Sequence, residues 1–74
     1  MNTLTQLGMR IRYLRKQKNL SQLDLALEAG INKNYISDLE RGSRNPSLII
    51  LEKIAVALEV DLSTLFKGIQ SFED

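Results

Sequence analysis

Apolar residues in this sequence recur at three- and four-residue steps, and β-branched residues nowhere alternate over the length of a strand. In TLTQLGMRIRYLRKQKN, residues 3 to 19, Leu4, Leu7, Ile11 and Leu14 keep that step, which makes the apolar stripe of an amphipathic helix. Such a period leaves one class of solution, short helices burying their stripes against one another. The chain has 74 residues, near the lower limit for a single domain with its own core. With no cysteine there is no disulfide to help, and with no histidine either the usual transition-metal ligands are missing. The core must therefore be efficient, or a second chain must bury what one copy leaves open.

Punctuation divides the rest into four more helices. SQLD opens the second, with Ser21 as N-cap and Asp24 three residues on, a capping box with Asp in place of Glu. Leu25, Ala26 and Ala29 form its inner face, and Gly30 supplies the left-handed backbone of a tight helix-to-helix turn. Asn32 caps the third helix, which turns Ile36 and Leu39 inward and stops at Gly42. Pro46 biases Asn45 toward an extended conformation in the loop SRNPS. Ser47 caps the fourth helix, with Leu51, Ile54, Ala55 and Leu58 on its core stripe. Asp61 starts a short fifth helix expected to bury Leu62, Leu65 and Phe66, and Gly68 ends it. Thr3 is the expected cap of the first helix, and Asn19 its expected end.

Charge is unevenly spread. Residues 1–46 carry eight basic and four acidic side chains, whereas residues 47–74 carry two basic and five acidic. That asymmetry points to a polyanion on the first half. The third helix carries the sharper signal. At ~100° per residue, Lys33, Asn34, Ser37 and Arg41 share about a quarter of its circumference, opposite Ile36 and Leu39, with Asp38 at the flank. Lysine reaches guanine O6 and N7, asparagine bonds adenine N6 and N7, and serine serves either. A plainly solvated face is the bland alternative, since most polar helix faces are only that, and a glycine between two amphipathic helices is by itself weak evidence of DNA binding.

The whole pattern is more specific. SQLDLALEAGINKNYISDLERG followed by NPSLIILEKIAVALEVDLSTLF closely resembles the Cro/CI-type, or XRE, helix-turn-helix family of bacterial and phage transcriptional regulators. The resemblance covers about residues 7 to 67. It rests on Ser21-Gln22, Leu25-Ala26, Gly30, Tyr35-Ile36-Ser37, Glu40-Arg41-Gly42 and Pro46-Ser47-Leu48. It implies an all-α, compact five-helix, λ-repressor-like DNA-binding domain over residues 1–67, with the helix-turn-helix at about 21–41 and a short tail at 68–74. The implied partners are a (pseudo)palindromic double-stranded DNA operator and a second copy of the chain. The loop ERGSRNPSL also looks like that of restriction–modification controller proteins. Single-domain phage repressors and antitoxin-like regulators share most of the same residues, so the branch stays open.

By this resemblance Lys33, Asn34, Ser37 and Arg44 fall on base-reading positions. Gln22, Asn32, Tyr35, Arg41 and Asn45 fall on positions that meet the DNA backbone. Arg15 and Glu40 are expected to pair and tie the first helix to the third. Tyr35 either packs beside the sugar-phosphate backbone or covers the core edge, and Asp38 either accepts from a cytosine or partners Arg41 or Arg44. Lys33 and Asn34 replace the glutamines or arginines common in the family, so base preference does not carry over. Arg10, Arg12, Lys16 and Lys18 are read as a solvated basic face. Ile49, Ile50 and Val56 leave a second apolar side on the fourth helix, and with Phe72 they are the expected dimer contacts.

Other functions find little support. There is no Cys or His nucleophile or base, no glycine-rich phosphate loop after a strand, and no paired carboxylates at catalytic spacing, so no enzyme is expected. No cofactor or small-molecule ligand is implied. No apolar stretch reaches the roughly 18 residues of a membrane span and no signal peptide is present, so the chain reads as cytoplasmic. The rival reading is an antitoxin-like module that sequesters a protein, with Leu23, Ile49, Ile50 and Phe72 as its partner surface.

Overall fold

The computed structural model describes residues 2–69. They form five helices and no strand: α1 (Thr3–Gln17), α2 (Gln22–Ala29), α3 (Lys33–Glu40), α4 (Leu48–Ala57) and α5 (Leu62–Leu65). Every helix starts on a side-chain cap. Ser21 and Asp24 form the expected capping box, Asn32 accepts from the Asn34 N–H, Ser47 from Ile50 and Asp61 from Thr64. The first cap differs from expectation. Asn2, not Thr3, accepts from the Thr5 N–H at 2.8 Å, so α1 begins one residue earlier with a better capping residue.

Four helix ends share one closure. The residue after the last turn is left-handed at Asn19, Gly30, Gly42 and Glu59, and the next N–H reaches back to the carbonyl five residues before it. At Gly30 (φ 67°) this closure makes the turn between α2 and α3.

The stripes then meet. Leu7 and Ile11 of α1, Leu25 and Ala26 of α2, Ile36 and Leu39 of α3, and Leu51, Ile54 and Ala55 of α4 join Leu58 and Leu65 in one core. Fully burying each aliphatic side chain contributes about 1.5–3 kcal/mol. α1 packs on α3 and α5, α2 on α3 and α4, and α4 on α5. Gly8 allows the first of these contacts. A Cβ there would lie 2.5 Å from the carbonyl oxygens of both Leu39 and Glu40, so the end of α3 lies directly on the α1 backbone.

Two expectations are corrected near α5. Phe66 is 37% exposed instead of buried, because a four-residue helix turns one residue, Leu65, fully inward and carries the next one away. Arg10 does not belong to a solvated face. Its Nε and Nη2 donate to the Thr64 carbonyl at 3.2 and 2.8 Å, closing the end of α5, and its guanidinium lies over Tyr13. Lys18 likewise pairs with Glu59, joining the ends of α1 and α4. Arg12 and Lys16 are exposed as expected.

Candidate nucleic-acid interface

A helix can read a groove only if its own placement is fixed, and α3 is fixed by one carboxylate. Glu40 Oε2 accepts from Arg15 Nε at 2.7 Å, and Oε1 accepts from Arg15 Nη2 at 3.0 Å and from Gln22 Nε2 at 3.1 Å. Arg15 Nη1 donates in addition to the Leu20 carbonyl at 2.7 Å. The Arg15 and Glu40 side chains are only 9% and 4% exposed. The hydrogen bond to Glu40 outweighs the opposing effect of burial and holds the Arg15 pKa above its ordinary value. α1, α2 and α3 thus converge on a single buried acid, with Gln22 bracing the third helix from the start of the second.

The outer side of α3 is built differently. Lys33 and Asn34, in its first turn, are exposed, and no hydrogen bond or ion pair engages their side chains among the described residues. Asn32 spends its side-chain oxygen on the Asn34 N–H at 2.7 Å, which leaves its amide nitrogen free to donate. Ser37 is half-buried and accepts from Arg41 Nη1 at 2.8 Å. Arg41, Arg44 and Asn45 are all exposed. Lys33, Asn34, Ser37, Arg41 and Arg44 therefore gather on one side of the fold, opposite the buried Ile36 and Leu39.

Two residues left open by the sequence acquire definite partners. Asp38 pairs with Arg41 through Oδ1 and with Arg44 through Oδ2, the latter at 3.4 Å, so its local role is realised. Tyr35 is half-buried against the core, and the Arg44 guanidinium lies 5.0 Å from its ring centroid. Ser43, not singled out from the sequence, ties the loop to α3 by donating its N–H and its hydroxyl to the Asp38 carbonyl, each at 3.0 Å. Its position one residue past Gly42 is the available signal, since that N–H closes the helix.

The residues expected at a dimer contact divide three ways. Ile49 and Val56 are 60% and 71% exposed on α4, joined by Leu48. Ile50 is half-buried against the core. Phe72 lies outside the described residues. Among the described residues no group of acidic side chains could hold a metal ion, and no helix is long and apolar enough to cross a membrane.

Comparison with known proteins places this geometry. A helix-turn-helix family model matches residues 11–65. Control protein C.MunI of a Mycoplasma species is 42% identical over 64 residues, covering 85% of this chain and 86% of that one. The crystal structure of the restriction-modification controller protein C.AhdI from Aeromonas hydrophila superposes with a TM-score of 0.84 at 43% identity, covering 85% of this chain and 96% of that one. The controller protein C.Esp1396I, a tetramer in complex with its natural 35-base-pair operator, superposes with a TM-score of 0.85 at 33% identity, covering 93% of this chain and 91% of that one. Other curated relatives are longer: the chain spans 40% of the immunity repressor protein of Bacillus phage phi105, at 41% identity over 58 residues, 78% of this chain. The chain belongs to the XRE-type helix-turn-helix family.

Proposed function

We propose that this chain regulates transcription as a cytoplasmic homodimer on a (pseudo)palindromic operator, with α3 of each copy in the major groove. One observation carries the reading. Lys33 and Asn34 stand exposed and unengaged in the first turn of a helix held rigid by a buried ion pair, and a recognition helix uses its N-terminal residues on base edges. Lys33, Asn34, Ser37 and Arg44 read bases. Gln22, Asn32, Tyr35, Arg41 and Asn45 meet the sugar-phosphate backbone. Residues 1–67 are the DNA-binding unit, with Ile49, Val56 and the rim of Ile50 joining the two copies. The tetramer of C.Esp1396I on its operator supports assembly of several copies on one DNA.

Selecting sites from random duplexes with the purified protein, then repeating the selection with variants, tests this division of labour. Lys33→Ala and Asn34→Ala should each relax preference at one or two positions, every good base contact being worth about 1–3 kcal/mol of discrimination. Gln22→Ala and Arg41→Ala should weaken all sequences alike, and Arg41→Ala should also lower the salt slope by about one. Unchanged preferences in both Lys33→Ala and Asn34→Ala would remove α3 as the reading surface. Leu23, 53% exposed on α2, favours a second reading in which the chain sequesters a protein partner. A soluble protein that binds selected DNA on its own decides against that.

A further inference from the structure

We infer that Asp38 is a specificity-determining residue: it taxes binding to arbitrary DNA while aiming Arg44 at a base edge of the operator. This rests on the reading that α3 and the following loop face DNA. A carboxylate there is costly on its face, since phosphates repel it and it neutralises cations the surface needs. Its geometry shows what the cost achieves. Each carboxylate oxygen serves a different arginine, Oδ1 for Arg41 and Oδ2 for Arg44 Nε, so both guanidiniums already have an anionic partner before DNA arrives.

On an arbitrary duplex, the two arginines gain only the exchange of one anion, Asp38, for another, a phosphate. On a matching site Arg44 need not make that exchange. Only its Nε is committed to Asp38, and no hydrogen bond engages its two terminal nitrogens among the described residues. Those two donors are the fork that meets guanine O6 and N7 side by side. The fork is held in orientation from two further sides. The Tyr35 ring lies 5.0 Å beneath the guanidinium, and Ser43 pins the loop to the Asp38 carbonyl. Asp38 therefore subtracts from indiscriminate attraction and leaves the base contact intact, acting through Arg44 as a positioning residue.

The test compares a duplex selected by the parent protein with a shuffled duplex of the same composition, each titrated over a range of salt. Asp38→Asn should raise affinity for the shuffled duplex, steepen its salt slope by about one, and cut the ratio of selected to shuffled affinity about tenfold. Asp38→Glu keeps the charge but moves the carboxylate outward, so it should hold the parent salt slope and still lose selectivity. In an Arg44→Ala background, Asp38→Asn should shift the ratio by less than about twofold, the effect having lost its carrier. A ratio in Asp38→Asn equal to or above the parent's overturns the inference while leaving the DNA reading in place. An undiminished loss in the Arg44→Ala background also overturns it. A parent protein with no preference for any selected duplex overturns both. Thermal unfolding of each variant identifies any change of fold, which a selectivity change at constant stability excludes.

Discussion

Glu40 bonds at once to a residue of α1 and a residue of α2 while belonging to α3, so its loss should be felt as stability before it is felt as DNA binding. Glu40→Ala leaves the Arg15 guanidinium buried without its anion, and breaking a buried pair from one side costs about 3 kcal/mol or more. Urea unfolding should show that loss, and a variant as stable as the parent would mean that the pair is not a buried one in solution. Replacing both Arg15 and Glu40 with leucine should cost less than Glu40→Ala alone, because no charge is then stranded. This pair was legible in the sequence through resemblance, from the spacing of Arg15 to the LERG run. Arg10 was not. Its acceptor is the backbone carbonyl of Thr64, 54 residues away, and a backbone acceptor leaves no mark on the residue that carries it. Among Arg12, Lys16 and Lys18, Arg10 reads as one more solvated cation.

Helix boundaries were the most legible level, because capping chemistry is local. Ser21, Asn32, Ser47 and Asp61 all cap where the pattern puts them, and Asn19, Gly30 and Gly42 all take the left-handed closure. Glu59 takes the same closure at φ 59° with no signal of its type, since a glutamate there is chosen by the surrounding structure and not by its own backbone preference. Gly8 was missed for a related reason. Inside a helical stripe a glycine looks only like a propensity penalty, whereas the structure uses it to let α3 touch α1. Gly8→Ala sets two effects against each other. Alanine favours the helix by about 1 kcal/mol, but its Cβ would stand 2.5 Å from two carbonyl oxygens that cannot swing aside. Whole-helix displacement should prevail, with a net loss of about 2 kcal/mol. Chemical denaturation checks the sign, and a stabilised Gly8→Ala would show that the two helices separate freely.

At the scale of the whole molecule, the period and the caps were enough for an all-helical domain, but not for what lies beyond one copy. α4 turns Leu51, Ile54 and Ala55 into the core and leaves Leu48, Ile49 and Val56 facing out. A monomer gains nothing by holding these three in water, while a two-fold partner buries the same patch twice. Ile50 adds little to that patch, since it already packs against the core, so the proposed contact centres on Ile49 and Val56. If the two-fold lies there, two recognition helices would sit about 34 Å apart, one DNA turn, and each copy would lend the other its effective concentration. Like charges placed on both positions test the idea without touching the core. Ile49→Glu with Val56→Glu should keep the parent's helical content and sediment as a monomer, because both side chains are already solvated in one copy. Operator binding should fall by at least about a hundredfold as the second half-site contact becomes independent of the first. Binding to one isolated half-site should stay at the parent monomer's level, which separates a lost dimer from a damaged reading surface. A double variant that still sediments as a dimer puts the contact on another face of the molecule.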